Sequence, residues 1–258
     1  MANSLIRGLL AKGFQPSSII VADVDNEKLE VLSSEYGIRL ADNQSIAREA
    51  NVVVLAVKPQ VIEEVCTNIS LQADSSLVVS VAAGTTVALL EKWLGNSTAI
   101  IRSMPNTPAL IGKGATGLFA NKFVSGKQKD LAKALMDGVG ISVWVENESD
   151  MDTVTAVSGS GPAYYFLFME AMQETAAELG LSDDVAQQLI YQPALGAADL
   201  AIQSTDSTVE LRRKVTSPNG TTEAAIKSFE ADHLRELVRK ALTAARDRSI
   251  ELAKKSNK

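Results

Sequence analysis

The sequence predicts an α/β fold: a doubly wound, Rossmann-like parallel sheet domain followed by an all-helical domain. Three observations carry this. Strand-like runs alternate with helical patterns through roughly the first 145 residues, the spacing expected of βαβ units. The clearest run, Val52-Val53-Val54-Leu55-Ala56-Val57, is continuously apolar and β-branched, as strands covered on both faces are. Beyond Val145 the strand signals stop and helical periodicity takes over.

Residues 2–12 place Leu5, Ile6, Leu9 and Leu10 at helical spacing, with Gly13 positioned to end the helix. Ile19-Ile20-Val21-Ala22 reads as a short buried strand, and 26–36 returns to helix. Ala47-Arg48-Glu49 leads to Asn51 and the strand 52–57. Further strands fall at 77–81, 99–102 and 141–145, with helical patterns at 61–68, 87–94 and 128–136. In the second half, Ser158-Gly159-Ser160-Gly161-Pro162-Ala163-Tyr164 opens a long helix with Pro162 in the tolerated first turn. Residues 165–172 are apolar nearly all round, so this helix is expected to be buried on most sides. Gly180 ends it, Ser182 caps the next helix ahead of Asp183 and Asp184, and Pro193 kinks that helix. Helices at 209–213, 222–230 and 234–254 complete the chain, the last a lone tail apolar enough to pack on a second copy. The domains predicted are 1–148 and 149–258.

Composition narrows the function. The 258 residues leave room for two cores, and 46% hydrophobic with 22% charged residues is ordinary for a globular chain. A formal charge of −6 and a pI near 5.0 oppose a nucleic-acid or anionic-membrane surface. No apolar run reaches transmembrane length and no secretory pattern opens the chain, so a cytoplasmic location is expected. With one cysteine, Cys66, and one histidine, His233, neither an internal disulfide, a Cys/His zinc site nor a Ser-His-Asp triad is expected. Cys66 reads as a small core residue and His233 as solvated. An enzyme so furnished takes its chemistry from a bound cofactor.

In doubly wound sheets ligands lie beyond the carboxyl ends of the strands. The loops there are Val57-Lys58-Pro59, Val81-Ala82-Ala83-Gly84 and the stretch from Arg102 to Pro108. Small residues such as Ala82 and Ala83 let a flat cofactor approach the backbone, although turn residues also fall wherever strands stop. In the second half, residues 214–230, KVTSPNGTTEAAIKSFE, join a turn directly to a helix start. Pro218 lacks a donor, Asn219-Gly220 is a turn signal, and Thr221 or Thr222 is placed to cap the helix. Such a junction offers N–H groups, hydroxyls and a positive dipole end to a small carboxylate.

VTSPNGTTEAAI resembles the signature of the pyrroline-5-carboxylate reductases, and SGSGPAY, RSMPNTPALIGKGATG and the ordered VKP and AAG loops resemble that family as well. The resemblance runs from Met1 to about Ala253. It implies reduction of 1-pyrroline-5-carboxylate to L-proline by hydride transfer from NADPH or NADH. It implies cofactor contacts at Ala56, Val57, Lys58, Pro59, Val81, Ala82, Ala83 and Asn43, and a helical domain that makes a homodimer or larger homo-oligomer. Ser217, Gly220, Thr221 and Thr222 would form the substrate pocket, with the Thr222 hydroxyl reaching the ring nitrogen in the catalytic role. SGSGPAY is read equally as tight helix-start packing or as substrate contact.

Two departures matter. Asp23 ends the second strand of the family pattern, where a carboxylate accepts from the ribose 2′-OH of NAD and repels a 2′-phosphate; Asp25 adds charge. NADH therefore stands beside the family's NADPH. The family also opens with a strand and a GxGNMA turn, of which Met1-Ala2 resembles only the end. The chain as written is expected to lack on the order of ten residues of strand and phosphate loop, either because Met1 is an internal methionine or because the variant is short. The internal methionine is favoured, and weak dinucleotide binding by the chain as written is expected. A 3-hydroxyacid dehydrogenase of similar plan is disfavoured because residues 162–179 contain no lysine. The alternative from another class is a non-catalytic, shortened family member that acts as a binding or oligomerisation partner.

Overall fold

The structure, a computed structural model, describes residues 1–72 and 76–256. It divides into two compact units, Met1–Pro162 with Ala244–Lys258, and Ala163–Thr243.

The first unit begins with α1 (Ala2–Ala11), β1 (Ile20–Val21), α2 (Asn26–Tyr36), β2 (Arg39–Leu40) and α3 (Asn43–Glu49). Then follow β3 (Val52–Leu55), α4 (Ile62–Thr67), β4 (Leu77–Ser80), α5 (Val87–Leu94) and β5 (Ala99–Met104). The unit's remaining strands and short helices are β6 (Gly114–Ala120), α6 (Gly126–Met136), β7 (Gly140–Trp144) and α7 (Asp150–Val154). Strands β1 and β2 pair in parallel as one small sheet, and the other five form a second in the order β3-β4-β5-β6-β7. Pairing is parallel throughout except where β6 runs antiparallel to β5, Ile101 opposite Ala120. The parallel pattern read from the sequence thus has one exception. The stretch after Arg102, expected as loop, instead extends β5 to Met104, makes a 3-10 turn at Thr107–Ile111 and returns as β6.

Strand β4 explains the continuous apolar runs, because all four of its residues are buried. Leu77 and Val79 face a cluster with Leu5, Ile101, Leu118 and Met136, while Val78 faces the opposite one with Val53, Leu55, Ile62 and Ile100. Cys66 lies in the second cluster as expected, and burial pushes its thiol pKa up to about 12, which leaves it an inert packing group. His233 is exposed.

The second unit is built from α8 (Gly161–Glu178), α9 (Asp183–Gln203), α10 (Thr208–Lys214), α11 (Thr221–Ala231) and the first part of α12 (Leu234–Ser256). Gly180 closes α8 as expected: its N–H donates to Ala177 O and that of Leu181 to Ala176 O. Three expectations need correction. Ser182 stands at the N-cap of α9, but its side chain makes no capping bond; only its carbonyl accepts, from the Ala186 N–H. The last helix is not a lone tail, because the Ser249 hydroxyl is buried and donates to Asp152 Oδ1 at 2.7 Å within the first unit. And α8 is not buried within the chain. Tyr165 is 70% exposed, Phe166 63% and Leu167 65%, while in all of Ala163–Thr243 the buried apolar side chains are Ala186 and Ile190. A unit with so little core of its own cannot offset the entropy of ordering five helices. The apolar face of α8 is thus left uncovered within the chain.

Candidate active site

The register of β3, β4 and β5 aligns Leu55 with Ser80 and Ser80 with Arg102, so the loops that follow leave the sheet at one edge. In the first, Ala56 and Val57 are half-buried and Lys58 and Pro59 exposed, with the Val61 N–H closing the turn onto Lys58 O at 3.1 Å. In the second, the Val81 N–H donates to Leu55 O at 3.1 Å and the Ala82 N–H to Ser80 Oγ at 3.3 Å. Ala82 is buried; Ala83 next to it is exposed and offers only a methyl group to the surface. Gly84 takes φ +75°, a left-handed conformation that suits glycine. A Cβ there would sit 3.7 Å from the Ala253 backbone nitrogen on α12.

Asp23 and Asn43 each follow the carboxyl end of a strand of the small sheet, whose last paired residues are Val21 and Leu40. Asp23 is exposed, and its Oδ1 accepts from the Asp25 N–H at 3.0 Å. Asp25 in turn caps α2 by accepting from the Lys28 N–H. Hydrogen bonds from Lys28, its side chain first, hold the Asp25 carboxyl below the usual carboxylate range. Asn43 is the exposed first residue of α3, whose start is fixed by the Asp42 cap and by the reciprocal Gln44–Ser70 pair at 3.1 and 2.9 Å.

The MPN and SGSG stretches meet inside the first unit. The Asn106 side-chain amide donates to Ser158 O and Oγ and accepts from the Ala115 N–H, while the Ser158 hydroxyl donates to Ala115 O. Gly159 admits Met104, whose Cε would be 2.6 Å from any Cβ at that position. For Ser158 and Gly159 this favours the packing reading over direct substrate contact. The segment Thr155–Gly159 is one turn of π-helix, a deformation that recurs at functional sites.

In the second unit, Ser217, Pro218, Asn219 and Gly220 form a turn closed by the Gly220 N–H on Ser217 O at 3.0 Å. Proline at its second position and φ +60° at Asn219 give it type II character. The expected threonine cap is absent. Gly220 holds the N-cap position with no side-chain cap bond, and Thr221 and Thr222 are the first two helical residues, both exposed. Instead Glu223 Oε2 reaches back to the Asn219 N–H at 2.7 Å and pairs with Lys227 at 3.2 Å. That backbone bond, then Lys227, holds the Glu223 carboxyl below its usual range. With the hydroxyls freed from capping, the Thr221 and Thr222 N–H groups and side chains have no protein partner among the described residues. Four groups of this kind at a helix start make a seat for an anion.

Three participants were not read from the sequence. Glu223 was legible, since an acid three residues after a capping position commonly reaches back. Asn106 lay inside a quoted motif. Glu148, whose carboxylate meets the Val87 N–H and Arg102, belongs to no motif and is brought to them only by the fold.

A Rossmann-like sheet with small-residue loops at its carboxyl edge, joined to a helical unit with an exposed anion seat, defines a dinucleotide-domain protein with a C-terminal helical domain. Comparison with known proteins narrows the class. A family model described as pyrroline-5-carboxylate reductase dimerisation matches residues 148–252, and one described as NADP oxidoreductase coenzyme F420-dependent matches residues 1–84. The pyrroline-5-carboxylate reductase of Pseudomonas aeruginosa is 49% identical over 255 residues, 98% of this chain and 93% of that protein. The solved structure of a pyrroline-5-carboxylate reductase from Coxiella burnetii matches with a TM-score of 0.93 at 46% identity, covering 97% and 94% of the two chains. That of the Plasmodium falciparum pyrroline carboxylate reductase with NADP bound gives 0.82 at 27% identity, covering 97% and 94%. This chain belongs to the pyrroline-5-carboxylate reductase family.

Proposed function

We propose that this chain reduces 1-pyrroline-5-carboxylate to L-proline by hydride transfer from NADPH or NADH, the last step of proline biosynthesis. The observation that carries the reading is the start of α11, where two threonines present unpaired N–H groups and hydroxyls beside a type II turn. Nearly full-length likeness to reductases supports catalysis rather than a non-catalytic binding role.

The residues of the first unit fit a nicotinamide dinucleotide. Ala83 is exposed and small, and Gly84 turns the chain away without a side chain in the path. Asp23 presents a carboxylate suited to a ribose hydroxyl. Ala56, Val57, Lys58, Pro59, Val81, Ala82, Ala83, Asn43 and Asp23 would hold the cofactor, which when bound supplies the hydride. In the second unit, the N–H groups of Thr221 and Thr222 would bind the substrate carboxylate, with the helix dipole favouring its charge. Ser217 and Gly220 would shape the pocket; a Cβ on Gly220 would lie 3.1 Å from Ser217 O. Thr222 Oγ1 would accept from the ring N–H of the iminium and fix the C=N carbon in place. A substrate that arrives protonated needs no acid from the chain, so orientation and electrostatics carry the rate.

The functional division falls at residue 148, with the helical part pairing in a homodimer or larger homo-oligomer through the exposed face of α8. Among the described residues no helix is long and apolar enough to cross a membrane; the cytoplasm is the proposed location. Purified protein mixed with pyrroline-5-carboxylate and NADPH or NADH should consume the absorbance of the reduced nicotinamide. No consumption with either cofactor, by this chain or by one with the family's opening strand and glycine turn restored, would overturn the proposal.

A further inference from the structure

We propose that Glu148 is a positioning residue for dinucleotide binding: it braces the loop of residues 81–86 from behind, a role that rests on the cofactor reading above. One oxygen of its carboxylate, Oε1, accepts from the Val87 N–H at 2.7 Å and from the Arg102 guanidinium at 2.6 Å. Val87 is the first residue of α5, immediately after the loop, and Arg102 lies on β5 opposite Ser80, the residue at which the loop leaves β4. Glu148 therefore ties the far end of the loop to the strand beside its near end. The Arg102 and Glu148 side chains are 12% and 29% exposed. So sheltered, both bonds are charge-assisted and little screened.

Glu148 is itself held. Its turn is closed by the Asp150 carboxylate on the Asn147 N–H at 3.2 Å and by the Met151 N–H on Glu148 O at 3.1 Å, with Met151 buried beneath. A second line reaches the same loop from the same turn. Asp152 accepts from Ser249 on α12, and one turn further along that helix the Leu252 and Ala253 backbone lies against Gly84. The loop thus has one face against the brace and leaves Ala83 exposed on the other. All the residues of this arrangement belong to the first unit, and the α11 start belongs to the second. Loss of the brace should therefore be felt in affinity for the dinucleotide and not for the imino acid.

Glu148→Gln keeps an acceptor for the Val87 N–H and gives up the charge opposite Arg102; Glu148→Ala gives up both. The test is dinucleotide affinity, measured by the fluorescence of bound NADH and NADPH, together with steady-state kinetics in both substrates. Glu148→Ala should raise the dinucleotide Kd and KM about tenfold and Glu148→Gln about threefold, with kcat and the KM for pyrroline-5-carboxylate within twofold of wild type. Should the alanine variant not fold, the glutamine variant carries the test alone. Wild-type affinity in both variants, or a fall in kcat at unchanged dinucleotide KM, overturns the role of Glu148. If neither this chain nor one with the family's opening strand and glycine turn restored binds either dinucleotide, the cofactor reading is overturned, and this role with it.

Discussion

Replacing Thr222 with alanine separates catalysis from folding at the start of α11. The threonine is exposed, makes no capping bond, and occupies the second helical position, so its removal breaks no side-chain hydrogen bond among the described residues. Alanine is the better helix former by a few tenths of a kcal/mol, and the melting temperature should stay level or rise slightly. The active complex loses one hydroxyl bonded to a charged ring N–H, worth about 1.5–3 kcal/mol. That corresponds to a fall of roughly ten- to a hundredfold in kcat/KM. The assay is steady-state reduction of pyrroline-5-carboxylate beside thermal unfolding of the same preparations. Unchanged kinetics would remove Thr222 from the catalytic assignment. A melting temperature several degrees lower would show that the hydroxyl serves the fold, contrary to the exposed position described.

Three other outcomes follow from the same geometry. Asp23→Asn keeps an acceptor for the Asp25 N–H but removes the charge facing a 2′-phosphate, and should shift the NADPH-to-NADH preference about tenfold, roughly 1.4 kcal/mol; equal ratios in both proteins would refute the assignment. Leu167→Asp places a charge on the exposed apolar face of α8 and should yield monomers by light scattering, whereas an unchanged oligomer would locate the interface elsewhere. Glu223 has a folded pKa below its unfolded value, so its contribution is present above the unfolded value and lost as pH falls through the folded one. Acidification below the ordinary glutamate range should therefore loosen the turn before α11 in the wild type, and Glu223→Gln should flatten that response in amide exchange at Asn219.

What the sequence disclosed follows the physics of burial. LVVSV was legible as a strand because both faces of β4 are covered, which leaves no polar alternation to confuse the reading; VVVLAV was legible from its β-branched run, although Val54 of β3 is exposed. Strand β6, GATGLFA, was not. Its glycines lower strand propensity, and one is there for packing: a Cβ on Gly117 would stand 2.5 Å from Val154 Cγ1. Strand β2, two exposed residues, carried no apolar signal. The helical character of α8 was plain, but whether its surface meets the same chain or another is not a property of one sequence segment. At the site, the turn and helix start at 217–222 were visible because proline, asparagine and glycine have narrow backbone roles. The missing cap was not, because the helix starts at Thr221 and leaves Gly220, which has no side chain, at the N-cap position. Glu148 was invisible: its partners lie 61 and 46 residues away.

The central claim is hydride transfer from nicotinamide to the imine carbon of pyrroline-5-carboxylate. Its most direct measurement uses NADPH or NADH carrying deuterium at the transferable C4 position, with the product examined by mass spectrometry and NMR. The account predicts L-proline carrying one deuterium, at C5. Unlabelled proline, label at another carbon, or no proline while the cofactor is consumed would contradict it.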